Sequence, residues 1–71
     1  MIVFHLKGHP YIELNKLLKF HNLVASGGEA KYRIREWGEA TVNGEVERQV
    51  QKKLRIGDRV EFDGTMIQIE E

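Results

Sequence analysis

The sequence predicts an α+β domain in which two helices pack on a small, mostly antiparallel sheet of three to five short strands. Apolar residues recur at helical spacing between positions 14 and 37, which indicates the two helices. Two turn pairs, Asn43-Gly44 and Asp63-Gly64, interrupt stretches of alternating apolar and charged residues and indicate two hairpins. The 71 residues contain no linker or repeat, so one domain spanning residues 1–71 is expected.

The first half of the chain begins with a short strand followed by a helix. Residues 2–6 are mostly apolar and stop before Gly8 and Pro10, which predicts a strand. The first helix follows from apolar spacing of i, i+3, i+4 and i+7 at Leu14, Leu17, Leu18 and His21. We expect His21 to end this helix, where a partly protonated imidazole would suit the negative end of the helix dipole.

A capping box predicts that the second helix begins at Ser26. The Ser26 hydroxyl should accept from the amide of Glu29, while the Glu29 carboxylate should accept from the Ser26 amide. Gly27 and Gly28 then occupy the first two helical positions, whose amides have no intrahelical acceptor. Because they lack side chains, an anion can approach the positive helix end there. The glycine spacing is not that of a Walker loop.

Two aromatic residues of the second helix have different expected environments. Trp37 continues the apolar stripe of Ala30 and Ile34, which favours packing in the core over an exposed ring that stacks on a ligand. Tyr32 allows two placements, either beside the face that carries Lys31 or over the sheet.

The second half of the chain is predicted to form three or four strands. The second hairpin carries apolar residues that alternate with polar ones, at Val60, Phe62, Ile67 and Ile69. Between the hairpins lies a polar connector, residues 48–58, which is expected to be anchored by Val50, Leu54 and Ile56.

Charge is segregated along the chain although eleven basic residues balance eleven acidic ones. The net charge is +4 over residues 14–35, −4 over 36–47, +4 over 48–59 and −4 over 60–71. Both helices and the connector are therefore basic. Such runs are usually ordinary solvated faces.

A pair of like charges in the second helix indicates that its basic face binds an anion. Lys31 and Arg35 are spaced i, i+4, which mildly destabilises a helix unless an anion neutralises them. A phosphate backbone would supply that anion. In the first helix, Lys16 and Lys19 lie off the apolar stripe and should be solvated.

Several function classes are not expected. The chain has no cysteine, so disulfides and thiolate metal sites are excluded, and its apolar opening run is too short for a signal peptide or a membrane span. A cytoplasmic location is expected. The spacing of His5, His9 and His21 does not predict a metal site, and no cofactor is expected. No carboxylate lies in an apolar run and Ser26 is used as a cap, so we expect no catalysis.

Four stretches in order, "IELNKLLK", "SGGEAK", "TVNGEVE" and "KKLRIGDRVEF", resemble the ribosomal protein S4-like RNA-binding domain, or αL motif. Within this family, the sequence resembles the small stand-alone bacterial members of the YbcJ type. The resemblance covers a core of about residues 12–62. It implies that the two helices and the turn into the first hairpin form a surface for structured RNA, often ribosomal or transfer RNA.

The resemblance also implies which residues of this chain occupy the motif positions of the family. The helix start of the family matches Ser26, Gly27, Gly28 and Lys31, its hairpin turn matches Asn43-Gly44, its basic position matches Lys53, and its later turn matches Gly57-Asp58. Three departures are evident. After the cap serine, this chain has glycines where many relatives have arginines. Basic residues are usual at the positions held here by Gln49, Val50 and Gln51. The segment "REWGEA" is one residue longer than is usual in the family.

Together these observations predict a non-catalytic, monomeric module that grips the phosphate backbone of structured RNA, with no membrane or small-molecule partner. The predicted RNA contacts are Lys16, Lys19, Ser26, Gly27, Gly28, Lys31, Arg35, Arg48, Lys53 and Arg55. One alternative is a protein-interaction module whose basic face docks an acidic partner, such as a ribosome-associated factor. Another is self-association of acidic strands with basic helices.

Overall fold

A computed structural model describes all 71 residues, with seven short strands and two helices. The elements, in chain order, are β1 (Ile2–His5), β2 (Ile12–Glu13), α1 (Leu14–Phe20), α2 (Gly27–Lys31), a π-helical turn (Tyr32–Glu36) that continues α2, β3 (Ala40–Val42), β4 (Glu45–Val46), β5 (Lys53–Leu54), β6 (Arg59–Phe62) and β7 (Thr65–Glu70). None of these helices has the length and apolar character that a membrane crossing requires.

Five strands form one sheet in the order β1-β7-β6-β3-β4, and β2 pairs with β5 in a separate two-stranded sheet. All pairs are antiparallel except β1 with β7, which are parallel, with Ile2 opposite Ile67. The predicted fold class is therefore confirmed. The first and last strands lie side by side, so the larger sheet is mixed.

The core contains 14 buried apolar residues, most of which come from the helical segments and from one face of the larger sheet. The other three are Leu6, Val24 and, in β5, Leu54. The predicted stripe of α1 is confirmed, because Leu14, Leu17 and Leu18 are fully buried. The predicted alternation in the second hairpin is also confirmed, since Val60 and Phe62 are buried while their neighbours face solvent. This period-2 pattern places the apolar side chains of the sheet against the helices.

Both predicted hairpin turns are present and have the backbone that their sequences require. Asn43 and Gly44 have φ values of 53° and 87°, and Asp63 and Gly64 have values of 53° and 78°. Positive φ at both central residues defines the turn that matches the twist of paired strands. These turns join β3 to β4 and β6 to β7.

The connector is anchored by fewer residues than predicted. Leu54 is buried in β5 and Val50 packs partly against the core, as expected. The prediction for Ile56 was wrong, because its side chain is 57% exposed. Ile56 lies in a turn with Gly57, whose φ is 94°, and this turn carries the side chain away from the core.

The prediction that Trp37 packs in the core was wrong, because its side chain is 64% exposed. The cause is the π turn, in which the amide of Trp37 donates to the carbonyl oxygen of Tyr32 at 2.9 Å, five residues back. A wider turn inserts one residue into the helical repeat. Trp37 is thereby rotated off the stripe of Ala30 and Ile34, both of which are buried.

The capping box differs from its prediction at one contact. The Glu29 amide donates to Ser26 Oγ at 3.1 Å as predicted, which fixes the start of α2. The Glu29 carboxylate, however, accepts from the amide of Ala25 at 2.8 Å, and not from that of Ser26. The chain bends through residues 23–26, and this bend brings the earlier amide within reach.

His21 ends α1 as predicted, but its expected protonation is not favoured. Its ring lies edge-on to Phe4 and Phe20, with centroid distances of 6.0 and 5.0 Å. Burial lowers the pKa of the His21 imidazole because the charged form loses hydration there. The neutral ring therefore acts here as an apolar packing residue.

Candidate nucleic-acid interface

A shallow cavity of about 510 Å³ lies beside the start of α2, and its walls come from three parts of the chain. The helical segment contributes Gly27, Lys31 and Arg35, the connector contributes residues 49–51, and α1 contributes Asn15. All but one of the lining residues are polar, charged or glycine. The cavity therefore suits a polar or anionic group.

The connector is fixed to α1 by main-chain hydrogen bonds. The amide of Leu14 donates to the carbonyl oxygen of Lys52 at 2.9 Å, and the amide of Asn15 donates to that of Val50 at 3.0 Å. These bonds take up amides at the helix start, where no side chain forms a cap. The connector is thus held against α1 and forms one wall of the cavity.

Gly27 and Gly28 leave the start of α2 open to solvent. Both residues are exposed, and a Cβ added at Gly27 would meet no atom within 4 Å. A Cβ added at Gly28 would meet only Ser26 Oγ, at 3.9 Å. The first amides of a helix have no intrahelical acceptor, so these two glycines present donors without steric cover.

Lys31 and Arg35 are the two cations of this cavity, and neither is neutralised within the protein. Both side chains are exposed, and neither has a carboxylate oxygen within 4.0 Å. Lys31 and Arg35 therefore have no local anion to offset their mutual repulsion. An anionic ligand at the cavity would provide that compensation.

Arg33, which lies between them in sequence, has a structural role. Its guanidinium contacts Glu39 at 2.8 Å, Glu29 at 3.4 Å and Asp63 at 3.6 Å. It also lies 4.5 Å from the centroid of the Phe62 ring, in cation–π geometry. The hydrogen bond to Glu39 and the surrounding carboxylates raise the pKa of Arg33 above its usual value. Arg33 therefore stays charged and links the helix to the sheet.

Arg48 closes the end of the helical segment. Its Nη1 donates to the carbonyl oxygen of Arg35 at 2.7 Å and to that of Glu36 at 3.3 Å. Gly38, with φ of 63°, provides the space, because a Cβ there would lie 2.7 Å from Arg48 Nη2. The guanidinium thus compensates orphan carbonyls at the negative helix end.

We expect R48Q to lower the free energy of unfolding by about 1 kcal/mol, because the helix end loses a charged donor. Denaturant unfolding measures this change. R35Q is the matched control, since Arg35 has no partner for its side chain and the variant should unfold like the parent. Equal midpoints for R48Q and R35Q would show that Arg48 does not stabilise the helix end.

The remaining predicted contacts lie outside this cavity. Lys53 Nζ and the Arg55 guanidinium lie 5.0 and 5.5 Å from the centroid of the Tyr11 ring, and both residues line a separate cavity. Lys16 lies 3.6 Å from a carboxylate oxygen of Glu13. Lys19 is exposed on α1 with no carboxylate within 4.0 Å. The structure therefore groups Gly27, Lys31 and Arg35 at one cavity, and the other predicted cations do not line it.

Residue patterns did not indicate a role for Asn15, and they left open whether Tyr32 lies beside Lys31 or over the sheet. Asn15 lines the cavity although it stands between two predicted helix positions with no distinctive motif. The exposed rings of Tyr32 and Trp37, with centroids 6.2 Å apart, lie on the same helical segment as Lys31 and Arg35. No group of three or more His, Asp or Glu side chains is placed to hold a metal ion.

Comparisons of the sequence and of the structure with known proteins point to the same family. A family model of the S4 domain matches residues 4–70. Over 69 residues the chain is 39% identical to the YbcJ proteins of Escherichia coli K12 and Shigella flexneri, with 97% of this chain and 97% of each relative covered. The solution structure of E. coli YbcJ, described as revealing an αL motif involved in RNA binding, matches with a TM-score of 0.73 and 38% identity. That match covers 100% of this chain and 89% of the other.

Proposed function

The chain belongs to the S4 domain family, and on this basis we propose that it is a single-domain, non-catalytic module that binds the phosphate backbone of structured RNA. The observation that best supports this proposal is the cavity beside the open helix start at Gly27. Lys31 and Arg35 line this cavity, and neither has a carboxylate partner. Cations and free amides in one concave site suit a phosphate group.

The predicted contacts take different roles in this proposal. Lys31 and Arg35 contact phosphates at the centre, together with the amides of Gly27 and Gly28. Ser26 acts through its cap, which holds those amides in place. Arg48 is a positioning residue, because its guanidinium is bonded to the helix-end carbonyls. The outer cations, which supply longer-range attraction, are Lys16, Lys19, Lys53 and Arg55.

This surface is suited to recognising the shape of a structured RNA, and not to reading a specific base sequence. The groove of an A-form helix presents phosphates and 2′-hydroxyls, which proteins recognise by shape. The polar, uncharged side chains of Asn15, Gln49 and Gln51 in the cavity wall are able to donate to and accept from such hydroxyls. Ribosomal or transfer RNA is the class that the family resemblance implies. Crosslinking in cells, followed by sequencing of the attached RNA, would identify it.

The affinity for a short duplex RNA hairpin should fall about tenfold between about 50 and 200 mM salt. When Lys31 and Arg35 neutralise two phosphates, counterions are released from the RNA. This release gives a slope of about −2 for log affinity against log salt concentration. Fluorescence anisotropy of labelled RNA measures this slope. Binding that does not change with salt would contradict a phosphate-based mechanism.

The same cations would also suit an acidic protein partner, which is the alternative function. A nuclease test separates the two. Nucleic acid that copurifies with the chain and is removed by nuclease treatment would support RNA binding. Salt-sensitive binding of an acidic polypeptide, with no binding of the RNA hairpin, would support the alternative.

A further inference from the structure

We infer that the exposed pair of Tyr32 and Trp37 binds one unpaired nucleobase, next to the RNA segment whose phosphates contact Lys31 and Arg35. This inference rests on the proposed function and makes it more specific. The preferred RNA is then a helix interrupted or ended by an unpaired nucleotide. A uniform duplex would use the cationic cavity alone.

The two rings lie outside the core although they are among the largest apolar groups of the chain. Tyr32 is 60% exposed and Trp37 is 64% exposed. Burying such a side chain contributes about 2 to 3 kcal/mol, so leaving both in solvent forgoes stability that a small domain needs. Exposed aromatic rings beside free cations are typical of surfaces on which RNA bases stack.

The main chain that carries the two rings is fixed by hydrogen bonds. The π turn joins the amide of Trp37 to the carbonyl oxygen of Tyr32, and the ring centroids lie 6.2 Å apart with planes tilted by 40°. Arg48 bonds the carbonyl oxygens of Arg35 and Glu36 just before Trp37. A ring pair that is oriented before binding loses less entropy when a base stacks on it.

Lys31 connects the aromatic pair to the phosphate cavity. It lines both that cavity and a second one of about 320 Å³, which is also lined by Gly28, Tyr32 and Glu36. A phosphate bound at Lys31 therefore has its neighbouring nucleotide within reach of the Tyr32 ring. This shared residue favours a nucleotide over an apolar protein segment as the occupant.

Glu36 indicates which part of the nucleotide enters the second cavity. Its carboxylate would repel a phosphate but is able to accept hydrogen bonds from amino or imino groups on a base edge. The two cavities thus have opposite preferences, one for the backbone and one for the base. Bases with such donors should bind best.

Trp37 is the only tryptophan of the chain, so its fluorescence reports on this site directly. The test uses two short RNA hairpins, one fully paired and one with a single unpaired guanosine in its stem. We expect the second hairpin to quench Trp37 fluorescence and the first to change it little. W37A should bind the second hairpin about tenfold more weakly and the first unchanged, while W37F should keep most of the affinity. F20A, which removes another exposed ring, is the control and should bind like the parent.

The outcomes separate the inference from the proposed function. If the parent binds both hairpins by anisotropy while Trp37 fluorescence does not change, or if W37A binds both as the parent does, base stacking is wrong and backbone binding stands. If the parent binds neither hairpin at low salt, the proposed function fails as well. An apolar peptide that quenches Trp37 where RNA does not would also overturn the inference.

Discussion

The double variant K31E/R35E should bind structured RNA about 100-fold more weakly than the parent while keeping its fold. Each substitution removes a cation that faces a phosphate and adds an anion that repels it. The RNA affinity of each single variant should therefore fall about tenfold. Stability should change little, because both side chains are exposed and neither has a carboxylate partner. Anisotropy with a duplex hairpin measures affinity, and thermal unfolding checks the fold.

A matched control tests whether the effect is local or due to net charge. K7E/R59E makes the same change in net charge at two exposed cations that line neither of the cavities beside α2. It should lose only a few-fold in affinity through long-range repulsion. If both double variants weaken binding equally, the site is not at Lys31 and Arg35. If K31E/R35E binds like the parent, these residues are not RNA contacts.

The parts of the fold that local chemistry determines could be predicted from the sequence. The turn pairs Asn43-Gly44 and Asp63-Gly64 select their hairpins through positive φ at both positions. Ser26 caps α2 through a bond to an amide three residues ahead. Each of these structures depends on contacts within a few residues, so the residue types suffice.

Features that depend on distant residues could not be predicted. The parallel pairing of β1 with β7 joins the two ends of the chain, and nothing in either strand alone specifies a partner. The exposure of Trp37 depends on the π turn, and the pattern of apolar residues describes only regular α-helices.

The candidate site shows the same division between local and distant determinants. The repulsion between Lys31 and Arg35 follows from their i, i+4 spacing in the sequence, and the structure places both residues in one cavity. The role of Arg48 is set by carbonyl oxygens that lie 12 and 13 residues away in the chain. Arg33 was counted only as part of the basic segment, because its partners Glu39 and Asp63 are brought to it by folding.

R33M should lower the free energy of unfolding by about 2 to 3 kcal/mol, and this is the largest stability effect expected from any change of a basic residue in the helical segment. The side chain is 18% exposed and is bonded to carboxylates of Glu29 and Glu39, which would lose their partner in a partly buried setting. The variant also loses the guanidinium stacked over Phe62. Methionine keeps the apolar stem, so the change isolates the charged group.

Denaturant and thermal unfolding of R33M and R35M, compared side by side, test this assignment. A loss of 2 to 3 kcal/mol should lower the melting temperature of a domain of this size by about 10 to 20 °C. R35M should melt like the parent but bind RNA more weakly, whereas R33M should bind normally at temperatures where it remains folded. Equal melting temperatures for the two variants would show that the ion pairs of Arg33 do not hold the helix to the sheet. A loss of RNA affinity in folded R33M would contradict a purely structural role for Arg33, and would show that Arg33 contacts the RNA or positions a residue that does.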